Sequence, residues 1–473
     1  MKKFFSIISI TLLLCSQLAW GASIRGAVTD NAGGIAGVVV SDGYTVVATD
    51  KAGKYEMKRH PLAKFVFVSV PADCKIPHEG NIPRFYQPLD SLSTADTEAN
   101  FALTKTAVRD TFTLIALADP QPKKSRDMQR FVNETIAELA GVEKEFPAGT
   151  TFLGMTAGDL CWNAPNLYPA YVKAFSKLAF PTYQVIGNHD HDENVHDDLG
   201  AAHYFEQYFG PTYYSFNFGK CHFVALDNII HRSRSDYDEA VSKEQMEWLK
   251  KDLAFVNKDK LIIIGLHAPS IKYNGKGIKN YRELHQLLEG YEAFLFSGHT
   301  HRLGYVKVND HLRDFNLAAV FGDSWAADIA PCGSPNGYGV FQLQGNRLAN
   351  YYYKGTKQPK TYQLRLYPPG QSIDHEHSVV AYIWGWNEEW KMEVFEDGVS
   401  CGKMTNFKGT DPLAYKTFFG PEKPEAKPKL EPAPSQCLFY YNPKKAGCTV
   451  RVVVTDAFGN VYEEEVKVKS EEE

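Results

Sequence analysis

No stretch of this chain is rich in Lys and Arg, and its 51 basic residues are outnumbered by 56 acidic ones, for a formal net charge of -5. Binding a nucleic-acid backbone calls for a basic surplus, so no nucleic-acid partner is expected, whereas a small phosphorylated molecule remains compatible. Beyond the first residues no apolar run approaches the roughly 20 residues that a membrane span needs, so no integral membrane segment is expected in the mature chain. No cysteine stands in a CxxC or Cys/His spacing, which argues against a structural zinc. No repeat of fixed period is present, and no feature names a protein partner. Aromatic residues, by contrast, are plentiful, with 26 Tyr, 29 Phe and 7 Trp. They suit strands and ring-bearing ligands, although cores claim them first.

The opening MKKFFSIISITLLLCSQLAWGAS places Lys2 and Lys3 before an apolar run from Phe4 to Cys15, then small residues at Ala19, Gly21 and Ala22. That is the pattern of a secretory leader over residues 1–21, cut near Ala22, and it implies a periplasmic or secreted protein. Leu14 stands where a lipoprotein signal calls for a small residue, so cleavage is expected rather than lipidation of Cys15. The remaining seven cysteines (Cys74, Cys161, Cys221, Cys332, Cys401, Cys437 and Cys448) are odd in number. At least one must be free, and the last three have the means for one bridge.

A length of 473 residues exceeds what one core usually supports. Short apolar strands between Gly- and Asp-rich turns over residues 22–106 predict an N-terminal β-sandwich. Residues 107–323 switch to buried strands followed by amphipathic helices, with stripes at Met128, Phe131, Val132, Ile136 and Leu139, at Leu167, Tyr171, Phe175 and Leu178, and at Met246, Leu249 and Leu253. An α/β domain is expected there. Residues 324–473 return to strands, including NYYYK and SVVAYIWGW, and predict a β-rich C-terminal domain. Its proline cluster between Pro421 and Pro434 reads as an extended loop, and Glu471 to Glu473 as a frayed tail.

In the α/β region every strong polar cluster follows an apolar strand. Asp119-Pro120-Gln121 follows TFTLIALA, Gly158-Asp159 follows TFLGMT, and Gly187-Asn188-His189-Asp190 follows TYQVI; His267 follows LIIIG, and Gly298-His299-Thr300-His301 follows AFLFS. Carboxyl ends of strands are where α/β folds build their sites. A set of two Asp, Asn, Gln and four His brought to one edge is what adjacent divalent cations require.

The ordered set D-x-[HQ], GD, GNH[DE], H and GHxH resembles the calcineurin-like metallophosphoesterase superfamily over about residues 111–322. The flanks resemble its secreted bacterial members, which carry an N-terminal β-sandwich and a C-terminal associated domain. The resemblance implies an αββα-type catalytic domain between two all-β domains and an enzyme that hydrolyses phosphate mono- or diesters. It implies two divalent metal ions (Mn, Fe, Zn or Mg), with Asp119, Gln121, Asp159 and His301 holding one and Asp159, Asn188, His267 and His299 the other. In such relatives a metal-bridging hydroxide attacks phosphorus, which leaves His189 as general acid. Two departures stand out. Gln121 replaces the frequent histidine, and a neutral oxygen donor favours Mn or Mg there. The segment GDLCWN lacks the acidic residue that in some relatives orients the acid histidine; Asn163 is expected either to touch substrate or metal-bound water or to make a loop hydrogen bond, and Asp190 to support His189.

Of the other residues, His191, His196, His203, His222, His231, His285 and His311 are expected to be structural or on the surface. Asp227 and Asn228 either line the site or cap a strand. Trp325, Asp328, Asn336 and Tyr338 either shape the substrate pocket or pack between domains. Two other functions fit the sequence: a pyrophosphatase of nucleotide- or lipid-linked diphosphates, and a decayed enzyme that binds glycans or proteins. The intact ligand set and His189 argue against decay.

Overall fold

The computed structural model describes residues 22–90, 93, 95–233, 235–420, 423 and 431–470. The leader, most of the proline cluster and the acidic tail lie outside the described residues.

The apolar run Thr111–Leu117 forms β1, and its alternating side chains serve two cores. Phe112, Leu114 and Ala116 pack with Phe223, Ile263 and Phe294, while Ile115 and Leu117 pack with Phe131, Tyr171 and Phe175. A strand buried on both faces reads as a continuous apolar run because helices cover one side and a second sheet the other. Each such fully buried side chain contributes about 1.5–3 kcal/mol. Parallel to β1 run β2 (Phe152–Ala157) and β3 (Thr182–Val185). The second sheet contains β4 (Tyr214–Phe218), β5 (Cys221–Ala225), β6 (Leu261–Gly265), β7 (Glu292–Ser297), β8 (Gly304–Lys307) and β9 (Leu312–Asn316). Its order is β4-β5-β6-β7-β9-β8, with β5, β6, β7 and β9 parallel. The predicted helical stripes form α1 (Ser125–Phe131), which runs on through a wider turn to Leu139, α2 (Tyr168–Phe175) and α3 (Lys243–Leu253). The Ser242 hydroxyl caps α3 by accepting from the Gln245 amide at 3.2 Å.

The hairpin of β10 (Gly337–Gln344) and β11 (Arg347–Gly355) completes the first sheet in the order β3-β2-β1-β10-β11, with β10 antiparallel to β1. The segment NYYYK therefore belongs to the central α/β sandwich and not to a C-terminal one, and the sheet extends past the boundary expected at residue 323. Residue Gly337 fits there because a Cβ would collide with the Lys354 carbonyl of the partner strand.

The flanking regions are β-rich. Residues 23–102 form small sheets docked on the central domain, where the Trp248 indole donates to Ser41 Oγ at 3.1 Å and the Tyr213 hydroxyl to the Gly43 carbonyl at 2.8 Å. Residues 365–467 form two four-stranded sheets around a core that includes Val379, Val394, Met404 and Val452. All seven cysteines after the leader are free thiols, so the one bridge that Cys401, Cys437 and Cys448 could supply is not formed.

Candidate active site

Loops leaving the carboxyl ends of β1, β2, β3, β6 and β7 converge on one edge of the sandwich, and their backbones are bent sharply. Asp119 (φ 49°), Gln121 (41°), Asp159 (54°), Asn163 (43°), His299 (65°) and His301 (54°) all lie in the left-handed region. That region costs an ordinary residue of order 1 kcal/mol, so the surroundings must hold these residues in place. Glycines let the loops close. A Cβ on Gly298 would press into the Asp119 carboxylate, one on Gly187 into Asp159, and one on Gly158 would come within 2.6 Å of His267 Nδ1. Gly298→Ala is accordingly expected to weaken divalent-cation binding by about 10–100-fold, the loss typical of disturbing a ligand's support. Calorimetric titration of Mn into the variant and the parent chain measures it.

The seven ligand residues named from the sequence fall into two groups that meet at Asp159. On one side His267 Nε2 lies 3.3 Å from Asp159 Oδ1 and 2.9 Å from Asn188 Oδ1. His299 Nδ1 completes that group, 3.0 Å from Asn188 Oδ1 and 3.1 Å from His267 Nε2. On the other side Gln121 Nε2 bonds to Asp159 Oδ2 and lies 3.4 Å from both Asp119 Oδ1 and His301 Nε2. His301 Nε2 is also 3.4 Å from Asp119 Oδ1. The two oxygens of Asp159 thus face different groups.

Surrounding contacts orient the ligands. His267 Nδ1 is 2.9 Å from the Ala157 carbonyl, which places a proton there and turns Nε2 inward toward Asp159 and Asn188. The Asn228 side chain accepts from the backbone amides of His267 and Ala268 at 3.0 and 3.1 Å, so it braces this loop from behind. The Asp119 carboxylate accepts from the His299 amide at 3.0 Å. Glu239, which no motif marked, approaches His299 Nε2 at 3.2 Å and pairs with Lys272 at 3.3 Å.

Charge at the centre is strongly correlated. Burial alone would lower the His267 pKa, but the Asp159 and Asp119 carboxylates push it up to about 10. Burial would raise Asp159, yet His267 and His189 hold it well below the usual carboxylate range. Asp119, Asp159 and His267 each offer a ligand atom within 4.8 Å of the others. In addition, Gln121 Oε1 is buried without a hydrogen-bond partner. Two carboxylates, three imidazoles, the Asn188 amide oxygen and a Gln121 side chain whose own oxygen is left unpaired make a donor set that fits divalent cations.

His189 stands apart from both groups. Its amide donates to Asp159 Oδ1 at 2.9 Å, and its ring stacks on Trp162 with centroids 4.3 Å apart. Its Nδ1 is 2.5 Å from Asn163 Oδ1, and Asn163 Nδ2 donates to Glu193 Oε2 at 2.7 Å. Burial holds the imidazole below its ordinary pKa, against the pull of Asp159. Asp190 does not support this ring. It is buried and accepts from the amides of Leu160 and Gly187 at 2.9 Å and from the Tyr168 hydroxyl at 2.9 Å, which ties the loops after β2 and β3 together.

The remaining residues are structural. Buried His191 bonds the Gly187 carbonyl at 2.9 Å and stacks on His231, and His222 pairs with Asp252 at 2.8 Å. Asp227 accepts from the Ile229 amide at 3.1 Å and lies 3.7 Å from His191 Nε2. Tyr338 bonds Glu138 at 2.7 Å and Asn336 bonds the Val320 carbonyl, while Asp328 holds Arg130; these three serve packing, not a pocket at the ligands. Trp325 is buried and donates to the Pro120 carbonyl at 2.9 Å, bracing the loop between Asp119 and Gln121.

The calcineurin-like phosphoesterase family profile matches residues 112–303. Profiles for the N terminal and the C terminal of calcineurin-like phosphoesterase match residues 22–106 and 314–462. The chain belongs to the calcineurin-like phosphoesterase family. Purple acid phosphatase 15 of Arabidopsis thaliana is 37% identical over 137 residues, which is 28% of this chain and 22% of that relative, so the likeness spans under a quarter of the relative's length. Among solved structures, a purple acid phosphatase from yellow lupin (Lupinus luteus) seeds is 13% identical with a TM-score of 0.37, covering 65% of this chain and 58% of its own. A dimetal phosphatase from Danio rerio is 13% identical with a TM-score of 0.35, covering 52% and 96%. A 5'-nucleotidase from Candida albicans is 15% identical with a TM-score of 0.32, covering 52% and 51%. Among the described residues of this phosphoesterase no helix is long and apolar enough to cross a membrane.

Proposed function

We propose that this calcineurin-like phosphoesterase hydrolyses phosphate mono- or diesters with two divalent cations, one held by Asp119, Gln121, Asp159 and His301 and the other by Asp159, Asn188, His267 and His299. The observation that carries this reading is Asp159, whose Oδ1 faces His267 and whose Oδ2 faces Gln121. When bound, such a cation pair supplies Lewis acidity to the phosphoryl oxygens and activates water at neutral pH. Gln121, a neutral oxygen donor, favours Mn or Mg at its position.

The chain's own chemistry centres on a proton. With His189 Nδ1 held by Asn163, the proton available to a leaving oxygen sits on Nε2. Asn163 Oδ1 stabilises the protonated ring, and the Glu193 carboxylate polarises the amide from its far side. The Trp162 face fixes the ring plane. Asn163→Ala is therefore expected to lower kcat by about 10–100-fold on an alkyl phosphate and by less on p-nitrophenyl phosphate, which needs little protonation to depart. Steady-state rates on the two esters check this, and equal losses on both would make Asn163 a loop residue only.

Export belongs to the same reading: Lys2, Lys3 and the apolar run that follows support a leader cut near Ala22 and a periplasmic or secreted enzyme of bacterial type. The function is tested by p-nitrophenol release from mono- and bis-p-nitrophenyl phosphate, with added Mn and residues 22–473. Turnover that a chelator stops and Mn restores is expected, and the preferred ester separates monoesterase from diesterase. No turnover of either ester by Mn-bound protein would argue for a narrow natural substrate or for a binding protein.

A further inference from the structure

A hairpin that no motif marks, Ile229–Ser233 paired with Asp236–Glu239, follows β5 and lies against the loops that carry the ligands. Side chains alternate along a strand, so Tyr237 and Glu239 share one face while Asp236 and Asp238 share the other. The outer face is a set of ion pairs. Asp236 and Asp238 hold Arg232 at 2.6 and 3.1 Å, and Asp238 holds Lys279 at 2.6 Å. Pairing sets Ile229 opposite Glu239 and His231 opposite Tyr237, which puts these four residues on the inner face.

The inner face and the base of the hairpin meet three ligand loops. Glu239 Oε1 lies 3.2 Å from His299 Nε2, Glu239 Oε2 meets Lys272 at 3.3 Å, and the Tyr237 ring stands edge-on to His299 with centroids 6.2 Å apart. Farther along, His231 stacks on His191 at 5.2 Å, and His191 holds the Gly187 carbonyl next to Asn188. At the base Asn228 accepts from the His267 and Ala268 amides and donates to the Ala268 carbonyl at 2.7 Å. His299, Asn188 and His267 are the ligands assigned to the second cation. The side chains of Asp119, Gln121 and His301 make their polar contacts elsewhere: with one another, with Asp159 and with the His299 amide. Among the described residues no hydrogen bond or ion pair joins them to residues 228–239.

Resting on the two-cation reading above, we infer that this hairpin is the outer support of the second cation alone, and that Glu239 is the positioning residue that fixes the His299 ring for it. Facing a carboxylate, His299 Nε2 takes the proton, which leaves Nδ1, 3.0 Å from Asn188 Oδ1, as the atom for the cation. A carboxylate behind a ligating imidazole sets its orientation and raises its basicity, and losing such a partner typically costs about 10–100-fold in metal affinity.

The test is calorimetric titration of Mn into the full chain, with the electron paramagnetic resonance spectrum of each loaded sample. The parent chain should take up two Mn and show the signal of a coupled pair. Glu239→Ala should weaken one of them by about 10–100-fold and leave the other unchanged, so that at limiting Mn the coupled signal gives way to that of an isolated ion. Anomalous diffraction from crystals of this variant at limiting Mn should then lose the peak among Asn188, His267 and His299 and keep the peak among Asp119, Gln121 and His301. Glu239→Gln keeps an oxygen for Nε2 and should recover part of the affinity. Asp238→Ala removes a carboxylate from the outer face of the same strand and should change neither affinity. The loss should persist when Lys272→Met accompanies Glu239→Ala, because it arises at His299 and not from a lysine left unpaired. Equal weakening of both cations, weakening of neither, loss of the other peak, the same effect from Asp238→Ala or full recovery with Lys272→Met overturns the inference. A parent chain that takes up a single Mn contradicts the two-cation reading instead; weakening of that ion by about tenfold or more in Glu239→Ala then still places Glu239 behind a ligand, and unchanged affinity overturns that as well. No uptake at all overturns both.

Discussion

Asp159→Asn is expected to lower kcat on p-nitrophenyl phosphate by about 10³-fold or more, because it strikes both ligand groups at once. Loss of a contact that merely supports a ligand typically costs about 10–100-fold, and Asp159 is placed to serve two cations directly. The substitution keeps the shape of the side chain, including an oxygen to accept from the His189 amide, now at 2.9 Å from Asp159 Oδ1. It removes the negative charge that lifts His267 and the second anionic oxygen. Bound Mn counted by elemental analysis should fall along with activity while the far-ultraviolet circular dichroism stays unchanged. A variant that retains both Mn and turnover would remove Asp159 from the centre.

His189→Ala should leave metal content intact and lower kcat by about 10²–10⁴-fold on an alkyl phosphate, the usual range for a general acid. On p-nitrophenyl phosphate the loss should be much smaller, since that leaving group departs near neutral pH with little help. The contrast isolates protonation from binding: KM should change little on either ester, because His189 lies outside the two ligand groups. Equal losses on both esters would assign His189 to holding the substrate or its loop instead.

The ligands were legible in the chain because each lies where a buried strand ends and the backbone turns sharply. Five of the seven, Asp119, Gln121, Asp159, His299 and His301, are left-handed residues, and Asp, Asn and His tolerate that conformation better than most. The glycines of GD, GNHD and GHTH mark the same points of close approach. Residues that act through a tertiary path carried no such mark. Glu239 reaches His299 from the short paired strands Ile229–Ser233 and Asp236–Glu239, and Glu193 reaches Asn163 from an irregular loop after the GNHD turn. The acidic run after His191 was the one available signal for Glu193, and acidic loops are common without a role. Asp190 misled because adjacency to His189 suggested contact, whereas a 3₁₀ turn at Asn188–Asp190 points it back into the protein.

The fold was readable for the parallel strands, whose apolar runs are buried on both faces. The hairpin of β10 and β11 was misassigned, since its period-2 pattern says that it is a strand pair but not which sheet receives it. Pairing with β1 joins residues more than 200 positions apart, such as Thr111 with Gln344, and no local pattern encodes that.

The measurement that tests the central claim most directly is anomalous diffraction from crystals of the Mn-loaded protein. Two peaks about 3.5–4 Å apart are expected, one among Asp119, Gln121 and His301 and one among Asn188, His267 and His299, with Asp159 between them. A single peak, or peaks away from Asp159, would contradict a two-metal centre built on this carboxylate.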